Sequence, residues 1–407
     1  MKKEEISDAL NMLHDDIIEE TNLVRREKKK KRLHWVKWGV VAACLVLAVY
    51  AGMRMFPKKS PGNTIELPLL TISENSTDSM GFEGYMAYDI SELTNQNPWK
   101  ETTEISALPV YQNPLSYDEN SMASGADSDK MRELLMEIAG RLGLDPVSLD
   151  ITDNAPDEET KQKIIEKLQI GGDTVPEGYF EPTSLTAEAE GLKIEVDQSM
   201  TATIFFEPAI SLPEEYNFTH YASYEELLKA AKYLKKEYQN LIHFEDSKIN
   251  IYGGDYNINL QQVYHIEFFD AGGSQTEQIV NYNFNRIAFY CNDDGDLFLA
   301  RIYQPDLSQK VGDYPIITAD EASDLLSNGN YITSVPYEMA GLDYAAKVEL
   351  VYRRGTREQY YMPYYCFYVE IPELEEKNGL KTYGAYYVPA VRSEYISNMP
   401  LWDGGFN

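Results

Sequence analysis

The longest apolar run in the chain, "WGVVAACLVLAVYAGM" from Trp38 to Met53, carries no charge and has no polar face. With Met55 and Phe56 beyond the lone Arg54 it reaches about 19 residues, or roughly 28 Å as a helix, the thickness of a bilayer core. A buried helix of a globular domain would instead show polar residues along one side. Trp35, Trp38 and Tyr50 stand where interfacial aromatics sit, and Lys37 and Arg54 can extend their charged ends to the headgroups. The run is therefore expected to be one transmembrane helix over 38–56. "VYAG" also offers a signal-peptide cleavage point after Ala51, and "VAAC" resembles a lipobox at Cys44. Against both, about 37 residues precede the run, long for a signal sequence, and only about six apolar residues precede Cys44. Arg25, Arg26, Lys28 to Lys31, Arg32 and Lys37 crowd the N-terminal flank, which places residues 1–37 in the cytoplasm and the C-terminal bulk outside the cell.

Elsewhere the apolar positions are periodic. In "EEISDALNMLHDDIIEET", Ile6, Ala9, Leu10, Leu13 and Ile17 recur at intervals of three and four and predict an amphipathic helix in the tail. Its opposite face is acidic, so it suits a groove on a protein better than an anionic leaflet. Ile6, Leu10, Leu13 and Ile17 are the candidate partner-binding residues; the alternative is a marginal helix with no partner. Residues 57–127 are rich in Ser, Asn, Thr, Gly and Pro without a sustained period and are expected to be a linker, in which "ISALPVYQNP" could add an edge strand to the domain beyond. From 128 a compact unit is expected. Met131, Leu134, Leu135, Ile138 and Leu142 form a helical stripe, "PDEETKQKIIEKLQIGG" a second helix, and "GLKIEVDQSMTATIFFEP" a hairpin. "SYEELLKAAKYLKKEYQNLIHF" opens on Ser223 with Glu226 three residues on, a capping-box spacing. Strand-like text follows in "KINIYGG", "VYHIEFFDA", "EQIVNYNFNRIAFYCN" and "DLFLARIY". The order then recurs, with a helix from Thr318 and strands in "AAKVELVYRRG", "QYYMPYYCFYVEIP" and "TYGAYYVPAV". The expected fold class is α+β: helix-plus-antiparallel-meander units over 128–312 and 313–407 behind the single span.

Charge narrows the functions open to such a chain. The first 56 residues hold 11 of the 36 Lys and Arg and 8 of the 66 Asp and Glu, leaving 25 basic and 58 acidic residues beyond them. That surface repels nucleic acid and anionic wall polymers. Hydrophobic residues at 43% are enough for a substantial core. Beyond Cys44 only Cys291 and Cys366 remain, so no disulfide framework is expected, although a single bridge stays geometrically conceivable. The five histidines, His14, His34, His220, His243 and His265, have no metal-ligand spacing. "NDDGD" over 292–296 lacks the ligand spacing of a calcium loop and is expected to be a hairpin turn. No nucleophile elbow, Walker loop or dinucleotide fingerprint occurs. No catalytic, metal or cofactor-binding set is read, and a non-enzymatic protein is expected. The many tyrosines suit half-buried sheets, with a sugar-stacking platform as the alternative.

The helix "ITADEASDLL" with the strands "VELVYR", "YYMPYYCFYVEI" and "YYVPAV" resembles PepSY-like domains and the accessory regulators of cell-wall histidine kinases. The wider chain, through "EEISDALNMLHDD", "WGVVAAC" and "NIYGGDYNI", is similar to single-pass membrane proteins of clostridial bacteria with an anti-sigma-factor-like layout. These resemblances imply a regulatory or sensory protein with an extracytoplasmic ligand- or partner-binding domain, its cytoplasmic helix docking on a sigma factor or a kinase. The zinc site of some anti-sigma factors is not expected, because the tail has His14 and His34 but no cysteine. The alternative is an anchored module that binds wall glycan or peptide and carries no signal.

Overall fold

The computed structural model describes residues 67–73, 82–116, 125, 127–171, 175, 178–189 and 191–404. The tail residues Ile6, Leu10, Leu13 and Ile17 and the 38–56 run lie outside them. Among the described residues no helix is long and apolar enough to cross a membrane.

Much of the stretch expected to be a linker is folded instead. Residues 67–73 and 82–116 are built into the fold, with strands β1 (Gly84–Ala87) and β2 (Ala107–Gln112) and with Leu70, Ile72, Leu93, Trp99, Leu108 and Val110 buried. Next come α1 (Ser128–Arg141), β3 (Ile151–Asp153), α2 (Glu158–Gly171), β4 (Ser184–Ala189), β5 (Leu192–Asp197) and β6 (Thr201–Ile210). After them lie α3 (Tyr224–Glu237), α4 (Gln239–Ile242), β7 (Ser247–Tyr256), β8 (Gln262–Asp270), α5 (Gln275–Phe284), β9 (Arg286–Cys291) and β10 (Leu297–Tyr303). Strands β3 to β10 make one antiparallel sheet in the order β3-β4-β5-β6-β10-β9-β8-β7, two four-stranded meanders joined along β6 and β10. Its apolar face carries Ile194, Val196, Ile204, Ile251, Phe268, Phe289 and Ile302, under α1 over β4 and β5 and α3 over β7 and β8. The Ser223 capping box forms, its hydroxyl accepting from the Glu226 amide while the Glu226 carboxylate accepts from the Ser223 amide.

One expected strand is half helix. "EQIVNYNF" belongs to α5, Asn285 is its C-cap, and only "RIAFYC" is the strand β9. Ser274 and Glu277 form a second capping box, and side-chain caps of this kind outweigh the strand preference of Ile279, Val280 and Tyr282.

The remaining elements are β11 (Lys310–Pro315), α6 (Ala319–Ser327), β12 (Ala345–Tyr352), β13 (Tyr360–Tyr361), β14 (Pro363–Glu370) and β15 (Lys381–Pro389). They form a sheet ordered β1-β15-β14-β12 and a small sheet ordered β11-β2-β13. Thus β2, foreseen as an edge strand, is central in its sheet. The expected division at 312/313 is not a structural boundary, since Leu67–Asn407 is one compact unit. A three-stranded meander with one helix leaves sheet edges and apolar surface uncovered. Here β1 pairs the free edge of β15, while Trp99, Leu108, Ile279 and Phe284 enter the core beside Leu350, Phe367 and Val388.

Candidate functional site

Strand alternation gives each large sheet a second face. In β7, Asn250 and Tyr252 alternate with Ile249 and Ile251; in β8, Glu267 lies between Ile266 and Phe268; in β9 and β10, Arg286 and Tyr303 adjoin Ile287 and Ile302. The four-stranded sheet does the same. Lys347, Glu349 and Val351 of β12 alternate with Val348, Leu350 and Tyr352; Cys366 and Tyr368 of β14 and Tyr387 of β15 alternate with core residues. The two non-core faces line one cleft of about 790 Å³, within the range of small-molecule pockets, roughly 300–1,000 Å³.

Two devices hold the walls apart and in register. Helix α5 contributes Tyr282 and Asn283 to the cleft, with Phe269 of β8 edge-on to Tyr282 at 5.2 Å. The segment 94–97 is tied to both sheets: Thr94 bridges Gly253, the Gln96 amide donates to Asn250 Oδ1 at 2.8 Å, and Asn95 Nδ2 donates to Glu349 Oε1 at 2.6 Å. Asn97 Nδ2 donates to the Leu350 carbonyl at 3.1 Å.

The loop after β12 brings in Arg353 and Arg354. Buried Asn113 clamps it, donating Nδ2 to the carbonyls of Gly355 at 3.0 Å and Glu358 at 2.7 Å. Asn283 fixes its start, its Oδ1 accepting from the Tyr352 amide at 3.0 Å and its carbonyl accepting from Arg354 Nη1 at 2.9 Å.

Four cations line the cleft: Arg286, Lys347, Arg353 and Arg354. Three meet a carboxylate. Arg286 Nη1 lies 2.8 Å from Glu267 Oε1, Lys347 Nζ lies 2.7 Å from Glu349 Oε1, and Arg353 Nε lies 2.6 Å from Glu358 Oε1. Arg354 has no carboxylate in ion-pair contact among the described residues. Its surface is open while protein surrounds the cleft, and that desolvation, with the nearby Arg286 cation, pushes its guanidinium down to about 10, still charged at neutral pH. Arg286 keeps a buried Nε without a hydrogen-bond partner and stacks 4.7 Å over the Tyr303 ring. Elsewhere in the cleft, Glu83 and Asp255 lack an ion pair among the described residues. Burial raises the Glu83 carboxyl, opposed by Arg353 and by the Tyr387 hydroxyl. Burial, followed by Glu83, also pushes the Tyr85 hydroxyl upward, and Asp255 adds to it.

The cleft can bind charged groups; a nucleophile with an adjacent base is not seen among its described lining. Cys366 is a free buried thiol that burial holds far above its ordinary range, and Cys291 is also a free thiol, pushed up to about 12 by burial. "NDDGD" is the β9–β10 turn, with Asn292 Oδ1 accepting from the amides of Asp294 and Asp296. His220 and His265, unrelated in spacing, come together with ring centroids 5.9 Å apart. Among the described residues no group of three or more His, Cys, Asp or Glu could hold a metal ion. Of the cleft residues sequence reasoning named only Cys366, and as a cysteine that could form a bridge rather than as part of a site. The one signal present was the pair Arg353–Arg354 at a strand end in a chain of net charge −30.

Fold and site together define an α+β protein with a charged cleft between two antiparallel sheets. No protein-family model matches the chain, and no curated protein matches it.

Proposed function

We propose that this chain is a non-catalytic, single-pass membrane protein of regulatory or sensory type, whose extracytoplasmic α+β region binds a small ligand and whose N-terminal helix docks on a cytoplasmic protein. The observation that carries this reading is the cleft of about 790 Å³, walled by the polar faces of both sheets and holding an arginine without a carboxylate partner among the described residues. That exposed guanidinium, with no carboxylate to neutralise it, is available to an anionic group of a ligand. The order α6, β12, β14, β15, a helix followed by an antiparallel meander, supports the PepSY-like resemblance. The uncharged, apolar 38–56 run and its basic N-terminal flank support the anchor and its orientation. The docking partner is of the sigma-factor or kinase kind that the resemblance implies.

The test uses the full chain in membranes, with a photo-crosslinking amino acid at Leu10 and a reporter active only outside the cytoplasm fused after Asn407. The expected result is an active reporter and a cross-linked cytoplasmic protein, lost on Leu13→Asp and altered in yield by Thr201→Trp, which narrows the cleft. An active reporter with no cytoplasmic cross-link gives the anchored glycan- or peptide-binding module instead. An inactive reporter overturns the topology.

A further inference from the structure

We infer that the cleft is a receptor for a small zwitterion of amino-acid or short-peptide type, its carboxylate seated on Arg354 and its ammonium group at the pole formed by Glu83 and Asp255. This rests on the reading of the cleft as a ligand site. The charges of the lining separate into a satisfied set and an open set. Glu267, Glu349 and Glu358 neutralise Arg286, Lys347 and Arg353 through contacts of 2.6 to 2.8 Å. What remains is one cation and two anions: Arg354, held only through the Asn283 carbonyl, and Glu83 and Asp255.

The open charges occupy different parts of the cleft. Arg354 follows β12, donates to the Asn283 carbonyl and feels the Arg286 cation, whose own carboxylate, Glu267, makes no ion pair with Arg354. Glu83 adjoins β1 and Asp255 lies in β7, and both act on the Tyr85 hydroxyl. The cation facing Glu83 is Arg353, already committed to Glu358. A ligand carboxylate on Arg354 would relieve the repulsion from Arg286 and form the charge-assisted, planar pairing that guanidinium favours. An ammonium group there would favour the charged form of Glu83 against the burial that raises its carboxyl, and would meet the Asp255 side chain. A simple anion satisfies only the first pole and is repelled by the second. A neutral saccharide satisfies neither.

The test is calorimetric titration of the full chain in nanodiscs with four forms of one probe: Ala-Ala, N-acetyl-Ala-Ala, Ala-Ala amide and N-acetyl-Ala-Ala amide. Ala-Ala is expected to bind, and capping either end is expected to weaken it by about tenfold or more, because each cap leaves a charged group of the site unmatched. Arg354→Gln should abolish the preference for the free carboxylate, with Arg354→Lys restoring part of it. Glu83→Gln should reduce the preference for the free amine and leave the carboxylate preference unchanged. Equal binding of all four forms, or unchanged Ala-Ala affinity in Arg354→Gln, overturns the zwitterion assignment. Binding of the doubly capped form alone, lost in Thr201→Trp, overturns the ligand class and leaves the cleft as a binding site. No heat from any form overturns both.

Discussion

The ion pair between Glu267 and Arg286 gives a sharp test of how the cleft is built. Glu267 is 3% exposed, and Arg286 Nη1 reaches both its oxygens, at 2.8 and 3.0 Å. Arg286→Met keeps most of the side-chain volume but leaves a buried carboxylate with only the 3.5 Å contact from Asn250 Nδ2. Stranding one partner of a buried pair costs about 3–5 kcal/mol. Two effects modify that figure. The cation stacked on Tyr303 is lost, worth about 1 kcal/mol, while repulsion between Arg286 and Arg354 is relieved in the opposite sense. The expected loss for Arg286→Met is therefore about 3 kcal/mol. Adding Glu267→Gln removes the stranded charge and should bring the double variant to within about 1 kcal/mol of the parent, a coupling energy of at least about 2 kcal/mol, larger by whatever Glu267→Gln costs alone. The assay is urea unfolding of the full chain by far-UV circular dichroism and by fluorescence, to which Trp99, 5% exposed against Tyr365, contributes a core probe. A single-variant loss below about 1 kcal/mol, or a double variant as unstable as the sum of the singles, would refute the claim that the pair is a closed, internally neutralised unit.

Three further outcomes are expected. Burial first, then the neighbouring His220, hold His265 below its ordinary value of 6.5, against smaller upward pulls from Glu267 and Asp255. The unfolded chain then takes up this proton first, so the contribution is fully present above about pH 6.5 and is lost as pH falls through the folded-state value; His265→Gln should flatten that part of a stability–pH profile, and an unchanged slope counts against it. A native digest analysed by mass spectrometry should find no cut within residues 84–112, because β1 and β2 are sheet members and Trp99, Leu108 and Val110 are buried; cleavage there would show the segment detaching from the sheets. Gly254→Ala should destabilise the chain by about 2 kcal/mol or more in urea unfolding, since Gly254 has φ +103° and an added Cβ would lie 2.0 Å from the Glu92 carbonyl oxygen; a loss of a few tenths would mean the 89–95 segment yields.

Helices with a strong stripe and a cap were legible: Ser223 with Glu226 lies where its spacing puts it, and Thr318 caps the helix expected from it. The same spacing at Ser274 and Glu277 was overshadowed, because α5 is written in Ile, Val, Tyr and Phe, residues whose average preference is for strands. The segment 67–116 was misread for a different reason. It gives its apolar residues out singly, Leu70 beside Tyr314, Trp99 against Tyr365, Leu93 beside Tyr383, each to a different part of the core, so no period builds up. The cleft was illegible because polar residues alternating along a strand ordinarily mark a solvated face. Here two such faces confront each other, and only the fold reveals that Glu267 meets Arg286 rather than water.

That construction also determines which part of the chain a ligand would act on. Glu83, Tyr85, Leu93, Thr94, Asn95 and Leu115 all line the cleft, and all come from the segment that follows the proposed span in sequence. Between Thr94 and Asn97 this segment bonds to β7 on one side and β12 on the other, so it cannot follow a change in the separation of the two sheets without exchanging hydrogen bonds. A ligand held between Arg354, which follows β12, and Glu83, which precedes β1, would therefore bear on the same backbone that leads back towards residue 67. Differential affinity for two sheet spacings is the only means by which such a ligand can shift the protein between states. The bonds of Asn95 and Gln96 are where that difference would be felt, and Asn95→Ala, which frees Glu349 from one donor without touching either charged pole, should change the effect of Ala-Ala on the Leu10 cross-link while leaving Ala-Ala affinity within about threefold of the parent. Loss of affinity in that variant would mean that this cleft residue contacts the ligand directly and would remove it from any path between the cleft and the tail.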